Sequence, residues 1–174
     1  MTREPAEYGP DSQREDVMAG VRWDAYAAAT PDMAAKGRAL LTQFGLGLGY
    51  LATVRKDGGP RLHPFCPVFH EGGLFGLILP SSPKCGDLLR DGRYAMHAFS
   101  PEDRDDEFYL SGTVTRRDEL EAAVREAFLG QVDTATSSGD EVCFEFLVER
   151  ALLAEYAKRG EGPTWPPVYT KWRA

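Results

Sequence analysis

The chain has 174 residues, of which 43% are hydrophobic and 27% charged, so it is long enough for one packed domain and too apolar for general disorder. A net charge of -7 and a pI near 5.0 argue against a surface that follows nucleic-acid phosphates. The longest strongly apolar run, residues 74–79, is far shorter than the ~18 residues that a membrane-spanning helix needs. We therefore expect one soluble, globular domain that binds neither nucleic acid nor membrane.

The N-terminal sequence mixes acids, prolines and polar residues, which is unlike a signal peptide. It predicts a flexible arm over residues 1–16, followed by a single domain over residues 17–174. The three cysteines, Cys66, Cys85 and Cys143, are odd in number and form no CxxC pair, which suits neither a disulfide framework nor a zinc site. The expected compartment is the cytoplasm.

The first regular element in the sequence is an amphipathic helix between Thr30 and Gly45. Thr30 is the expected cap, Pro31 occupies the first helical position, apolar residues recur at helical spacing, and Gly45 is a stop signal. Three β-rich runs follow at residues 50–55, 61–70 and 74–79, separated by turns that contain glycine. Because proline cannot donate to a strand ladder, Pro64 and Pro67 place the middle run at an edge or require a bulge.

The second half of the chain predicts one short helix, two strands, a helix and a strand. Ser82 is the expected cap of the short helix, with Pro83 at its first position. The expected elements lie at 81–92, 94–99, 107–116, 118–130 and 141–149, with an acidic loop at 102–106 and a possible final strand at 168–172. Short strands joined mostly by tight turns predict a mainly β fold. The expected architecture is a six-stranded, largely antiparallel barrel with flanking helices.

Lys84 is the most informative residue of the short helix, because a cation in the first helical turn is disfavoured by ~0.3 to 1 kcal/mol. A bound anion would remove that conflict, and Ser81, Ser82, backbone N–H groups and Lys84 would together cradle a phosphate. The alternative is an exposed lysine that tolerates the penalty. The residues alone leave both interpretations open.

Other common sites have little support in the sequence. The three histidines, His63, His70 and His97, lack metal-ligand spacing, and there is no GxSxG motif. The glycines in FGLGLGYL follow a helix and precede a strand, which is the reverse of a dinucleotide-binding loop. We predict no metal site, and the catalytic residues stay unassigned.

Three pieces of sequence carry a family resemblance: LATVRKDGGPRLHPF, GLFGLILPSSPKCGDLLRDGRYAMHAF and DEFYLSGTV. In their order and spacing, over residues 23–148, the chain resembles the pyridoxamine 5'-phosphate oxidase-like family of FMN-binding split β-barrels. The resemblance implies a homodimer with two flavin sites at the subunit interface.

The resemblance also implies which residues bind the cofactor. Arg61, Ser82 and Lys84 would bind the FMN phosphate. The stretch Leu62, His63 and Pro64 would lie along the isoalloxazine ring, and Ile78 and Leu79 would pass the ribityl chain. Trp172 corresponds to an aromatic residue that reaches the flavin from the other subunit.

The sequence departs from the biosynthetic oxidase at several positions. Pro83 replaces a second basic residue, Glu107 replaces a glutamine, and the Arg-x-His pair and the substrate-phosphate segment have no counterpart. By this resemblance we expect an FMN-dependent oxidoreductase that acts on an unassigned small substrate, and the departures argue against oxidation of pyridoxamine phosphate. An F420-dependent reductase and a non-catalytic flavin- or haem-binding module remain alternatives, and His63 is the best candidate for proton transfer.

Overall fold

The computed structural model describes residues 20–174, and the predicted arm at residues 1–16 lies outside them. Four α-helices and eight strands follow one another along the described chain. They are α1 (Trp23–Ala29), α2 (Pro31–Thr42), β1 (Gly49–Val54), β2 (Pro60–Phe65), β3 (Val68–His70), β4 (Gly73–Ile78), α3 (Pro83–Arg90), β5 (Arg93–Ala98), β6 (Glu107–Arg116), α4 (Glu121–Leu129), β7 (Val142–Glu155) and β8 (Val168–Arg173).

The strands form one curled sheet in which every named pair is antiparallel. Its order is β2-β1-β5-β6-β7-β4-β3, and β8 also pairs with β7. This confirms the predicted mainly β, antiparallel split barrel with flanking helices. The sheet has eight strands rather than six because Cys66 and Pro67 divide the middle run into β2 and β3, and because the tail adds β8.

Both prolines lie where a missing N–H costs little. Pro64 belongs to β2, which is an end strand of the sheet and pairs only with β1, and Pro67 lies in the break before β3. The prediction that the middle run occupies an edge is therefore confirmed.

Strand β7 is the longest element and holds three neighbours. It pairs with β6 along its length, with β4 through Val142–Glu145 and with β8 through Arg150–Glu155. The register with β6 shifts between Ser111 and Gly112, opposite Glu149, and this bulge bends the strand. Only glycine fits at 112, because a Cβ there would lie 2.0 Å from the Leu147 carbonyl oxygen.

Helices α1 and α2 cover the main hydrophobic core. The sequence predicted α2 correctly, including the stop at Gly45, whose φ is +79°. It missed α1, whose Trp23 and Tyr26 are buried. Thr30 is the N-cap residue of α2, as predicted, but its hydroxyl makes no capping hydrogen bond there and donates instead to the Tyr26 carbonyl oxygen of α1 at 3.1 Å.

Gly37 lets α2 approach the sheet closely. A Cβ at this position would lie 2.3 Å from the ring of Phe108, a core residue that is 1% exposed. Gly37→Ala is therefore expected to destabilise the protein by about 1 to 3 kcal/mol through overpacking. Gly86→Ala is the matched control, because this α3 glycine has no atom within 4 Å of its would-be Cβ.

Urea unfolding of both variants measures these two changes in stability. Gly86→Ala should be neutral or stabilising, since alanine is the better helix former. A Gly37→Ala variant as stable as the wild type would contradict the close packing of α2 on Phe108.

The acidic loop at 102–106 is tied to the segment that follows β7. Arg159 forms an ion pair with Asp105 and donates to the Glu102 carbonyl oxygen, and the Asp106 carboxylate accepts from the Tyr156 N–H at 2.7 Å. These contacts hold the loop against the segment after β7, so it is not a freely solvated turn. Within residues 20–174, no helix has both the length and the apolar character needed to cross a membrane.

Candidate functional site

The candidate site begins on β2, whose side chains alternate between two faces. Arg61, His63 and Phe65 point to one side, while Leu62 and Pro64 point to the other and are exposed. Helix α3 packs near the first side. It follows β4 after a short turn, with Ser82 as its cap residue and Pro83 as its first residue. Ser82 has the extended backbone of a cap residue, but its hydroxyl makes no capping hydrogen bond.

Asp87 joins α3 to β1 and β2. Its carboxylate is 4% exposed and accepts hydrogen bonds from Arg61 Nε at 2.7 Å, Thr53 Oγ1 at 2.9 Å and an Arg90 terminal nitrogen at 3.1 Å. Burial acts to raise the Asp87 pKa, but these hydrogen bonds outweigh it and hold the pKa below its ordinary value. Asp87 is therefore a buried anion held between cations.

Lys84 lies one turn earlier on α3 and reaches back to β2. Its Nζ donates to the Pro64 carbonyl oxygen at 3.3 Å, and no carboxylate of the described chain lies within salt-bridge distance of it. Burial lowers the pKa of Lys84. A partly buried ammonium without a counter-ion is suited to meet an anionic ligand.

His63 stands beside these cations. Its Nε2 is buried and has no hydrogen-bond partner among residues 20–174. Burial lowers the His63 pKa, and the positive charges of Lys84 and Arg61 lower it further against a smaller opposing effect of Asp87. The imidazole is therefore neutral at pH 7, and its buried Nε2 is left without a partner in the described chain.

A cavity of about 440 Å³ opens beside Lys84. Its walls come from the end of β2, the end of β4, the start of α3, the end of α4 and the loop before β7. The lining residues are Leu48, Pro64, Phe65, Cys66, Leu77, Leu79, Lys84, Phe128, Thr136, Ser138 and Glu141. The cavity is thus mostly apolar with a few polar groups, which is typical of small-molecule sites.

Glu141 holds the loop that forms one wall of this cavity. Its carboxylate accepts from the Ser137 hydroxyl at 2.8 Å, the Ser138 N–H at 2.9 Å and Arg125 at 3.3 Å. Burial acts to raise the Glu141 pKa, but the hydrogen bonds outweigh it and lower the pKa to about 2. The charged form of Glu141 therefore stabilises the folded loop.

Glu141→Gln is expected to lower stability by about 2 kcal/mol at pH 7, because it removes the charge that accepts these hydrogen bonds. A carboxylate whose pKa is depressed on folding contributes above its unfolded pKa, and the contribution disappears as pH falls through the folded value. The deficit of the variant should therefore shrink from about pH 5 towards pH 2.

Urea unfolding from pH 7 to pH 3 follows this difference. The control is Glu126→Gln, at an exposed position on α4. A Glu141→Gln deficit that does not change with pH would show that the charge of Glu141 is not what stabilises the loop.

The structure brings together only part of the predicted cofactor set. Arg61, His63 and Lys84 lie close enough to perturb one another, and Pro64, Leu79 and Lys84 line one cavity. Two predicted residues lie elsewhere, because Leu62 is 63% exposed and Ile78 is buried in the core. Trp172, which the resemblance assigns to the flavin of the other subunit, lines a second cavity and packs on Tyr26 of its own chain.

The acidic groups of the site were not predicted from the sequence. Asp87 follows Lys84 by three residues, which places both on the same face of the helix, and two leucines follow it. An acid next to apolar residues on this face could have indicated a buried carboxylate. Its partners Thr53 and Arg61 lie on strands β1 and β2, and nothing in the sequence around them indicates a contact with Asp87. Glu141 and Cys66 were likewise unassigned.

Comparisons with solved structures identify the fold. A haem-binding protein from Mycobacterium smegmatis is 20% identical with a TM-score of 0.57, and the match covers 78% of this chain and 57% of that one. A pyridoxamine 5'-phosphate oxidase-related, FMN-binding protein from Nostoc punctiforme is 15% identical with a TM-score of 0.53, covering 86% and 96%. The chain has the fold of the pyridoxamine 5'-phosphate oxidase-like split β-barrels.

A further split barrel of this kind is a NimC/NimA family protein from Clostridium acetobutylicum, which is 19% identical with a TM-score of 0.54. That match covers 78% of this chain and 91% of the other. The chain spans a little over half the length of the haem-binding protein, 57%. No protein-family model and no curated protein matches the sequence.

Proposed function

We propose that this split barrel binds FMN and uses it as a flavin-dependent oxidoreductase acting on a small molecule. The observation that carries the proposal is Lys84, a partly buried ammonium with no carboxylate partner in the described chain, at the start of a helix and at the mouth of a cavity. A phosphate supplies the missing negative charge. The fold resemblance supports a flavin as the molecule that carries it.

The residues present fit such a ligand. Lys84 would hold the phosphate through its ammonium and its backbone N–H in the first turn of α3, together with Arg61, whose two terminal nitrogens have no partner among the described residues. The unpartnered His63 Nε2 offers one more polar contact. Pro64 and Leu79 supply apolar surface beside the lysine.

When bound, FMN would supply the redox chemistry, because none of the twenty side chains is a reversible hydride carrier. The protein would anchor the phosphate through Lys84 and Arg61 and exclude water with the apolar cavity walls. His63 is neutral at pH 7, so its unprotonated ring nitrogen could accept a proton, and the imidazolium so formed could give that proton back.

Haem binding is the second candidate function. Proteins of this fold include one named as a haem-binding protein, and a buried His63 Nε2 without a partner is also a suitable iron ligand. This candidate predicts a binding module without turnover.

The absorption spectrum of the purified protein, followed by titration with FMN, haem and F420, separates these functions. The proposal expects the visible bands of oxidised flavin and quenching of FMN fluorescence at one equivalent per chain. A Soret band that is lost in His63→Ala would favour haem, and saturable binding of F420 without FMN binding would favour the deazaflavin reductase.

We infer that the protein acts as a homodimer through the outer face of the sheet. Ala52, Ala95 and Ser111 form a row of small residues across β1, β5 and β6, and Tyr50 and His97 flank this row. These side chains point away from the core and are partly or fully exposed. A weakly polar sheet face with a row of small side chains fits a second copy of itself.

Ala95→Arg is expected to convert the dimer to a monomer, because it places a charge in the middle of this row. Light scattering at micromolar concentration measures the mass, and circular dichroism shows whether the fold is kept. Lys56→Glu, in the exposed turn after β1, is the control and should stay dimeric. A monomeric wild type that binds FMN stoichiometrically would refute the dimer.

The cytoplasmic location stays a proposal based on the unpaired cysteine pattern.

A further inference from the structure

Arg61 and Lys84, the cations of the proposed phosphate site, lie near an acid that weakens the attraction of an anion. Asp87 is buried beside Arg61, and its negative charge offsets one of the charges that would attract a phosphate. A simple electrostatic site would do better without it. The geometry of the contact gives Asp87 a different role.

The hydrogen bond from Arg61 to Asp87 uses only Nε, at 2.7 Å. The two terminal nitrogens of the planar guanidinium therefore remain as a pair of donors, and they have no partner among residues 20–174. The Asp87 carboxylate is itself fixed by Thr53 and Arg90. The guanidinium of Arg61 is thus held at Nε by Asp87, while the edge formed by its two terminal nitrogens stays available to a ligand.

We propose that Asp87 is a positioning residue that orients the Arg61 guanidinium so that its terminal edge forms a bidentate contact with the ligand's phosphate. The inference rests on the proposed function and extends it to a residue that no sequence motif indicated. A guanidinium that is already oriented loses less conformational entropy on binding than a free side chain. In this proposal that saving in free energy exceeds the cost of the negative charge of Asp87.

The competing explanation predicts the opposite sign. If Asp87 acts only as a counter-charge, Asp87→Asn makes the site more positive, and FMN binds more tightly. If Asp87 positions Arg61, the same variant frees the guanidinium, and FMN binds more weakly. Riboflavin has no phosphate, so its affinity should not change in either case.

The test measures the affinities of FMN and riboflavin by fluorescence quenching for the wild type, Asp87→Asn, Arg61→Ala and the double variant. We expect Asp87→Asn to lower the FMN preference about tenfold, the size of one charge-assisted contact. In the Arg61→Ala background it should lower that preference no further, because no guanidinium remains to be positioned. Arg93→Ala is the matched control, since that exposed arginine pairs with Asp91 and makes no contact with Asp87, and it should change the preference less than about threefold.

Arg61→Lys tests the same idea without touching the buried acid, should Asp87→Asn fold poorly. Lysine keeps the charge but lacks the fork, so the FMN preference should fall nearly as far as in Arg61→Ala. An FMN preference that is kept or raised in Asp87→Asn, or kept in Arg61→Lys, overturns this inference alone. A wild type that binds neither ligand, or both equally, overturns the proposed phosphate anchor and this inference with it.

Discussion

Lys84→Ala is expected to weaken FMN binding roughly ten- to more than a hundredfold and to leave riboflavin binding nearly unchanged. The loss corresponds to one charge-assisted phosphate contact of ~1.5 to 3 kcal/mol. Lys84 has no carboxylate partner in the described chain, so its removal should cost little stability. The two ligands share the ring and the ribityl chain, and their difference therefore isolates the phosphate.

Fluorescence titration at two salt concentrations provides the measurement. The FMN preference of the wild type should fall as salt rises, and the variant should be less sensitive to salt. Lys56→Ala is the control, because that lysine lies in the exposed turn between β1 and β2. Equal losses of FMN and riboflavin affinity would show that Lys84 supports the fold of the cavity rather than binding the phosphate.

The second large effect concerns pyridoxamine 5'-phosphate. The FMN-loaded protein is expected to oxidise it with a catalytic efficiency roughly three or more orders of magnitude below that of an ordinary oxidase. This substrate needs charged partners for its own phosphate, and losing two or three contacts of ~1.5 to 3 kcal/mol accounts for the deficit.

Three arginines near the missing segment are already engaged. Arg116 forms an ion pair with Asp118, Arg117 with Glu119, and Arg125 with Glu141. None of them is a free substitute for the substrate-phosphate ligands. Steady-state oxidation under air, followed by aldehyde and hydrogen peroxide, measures the activity. A catalytic efficiency of ~10⁴ M⁻¹s⁻¹ or above would restore the vitamin B6 assignment.

The fold was predictable because its signals are local. The apolar period and flanking residues of α2, the glycine turns, and the two prolines of the middle run each specify a nearby backbone geometry. Helix α1 was missed because it is only seven residues long and relies on burial of Trp23 and Tyr26 rather than on caps. Strand β8 was predicted as a possible strand at residues 168–172, and it pairs with the strand that precedes it, β7.

The site was predictable only in part, for the same physical reason. Lys84 carries its own signal, because a cation in a first helical turn conflicts with the helix dipole. The contact of Asp87 with Arg61 joins residues 26 positions apart, and the Lys84 contact with Pro64 joins residues 20 apart. Such pairs arise from the sheet and helix packing and leave no mark on the local sequence.

Along one edge, β7 pairs first with β4 and then with β8, so the hydrogen bonds of its two halves should open at different rates. The first half is covered by β4, which is almost wholly buried, whereas the second is covered by β8, of whose six residues five are exposed. Native-state hydrogen exchange should therefore show two rates along a single strand. Amides of β7 that donate to β8 should exchange through detachment of the C-terminal strand, and those facing β4 only through global unfolding.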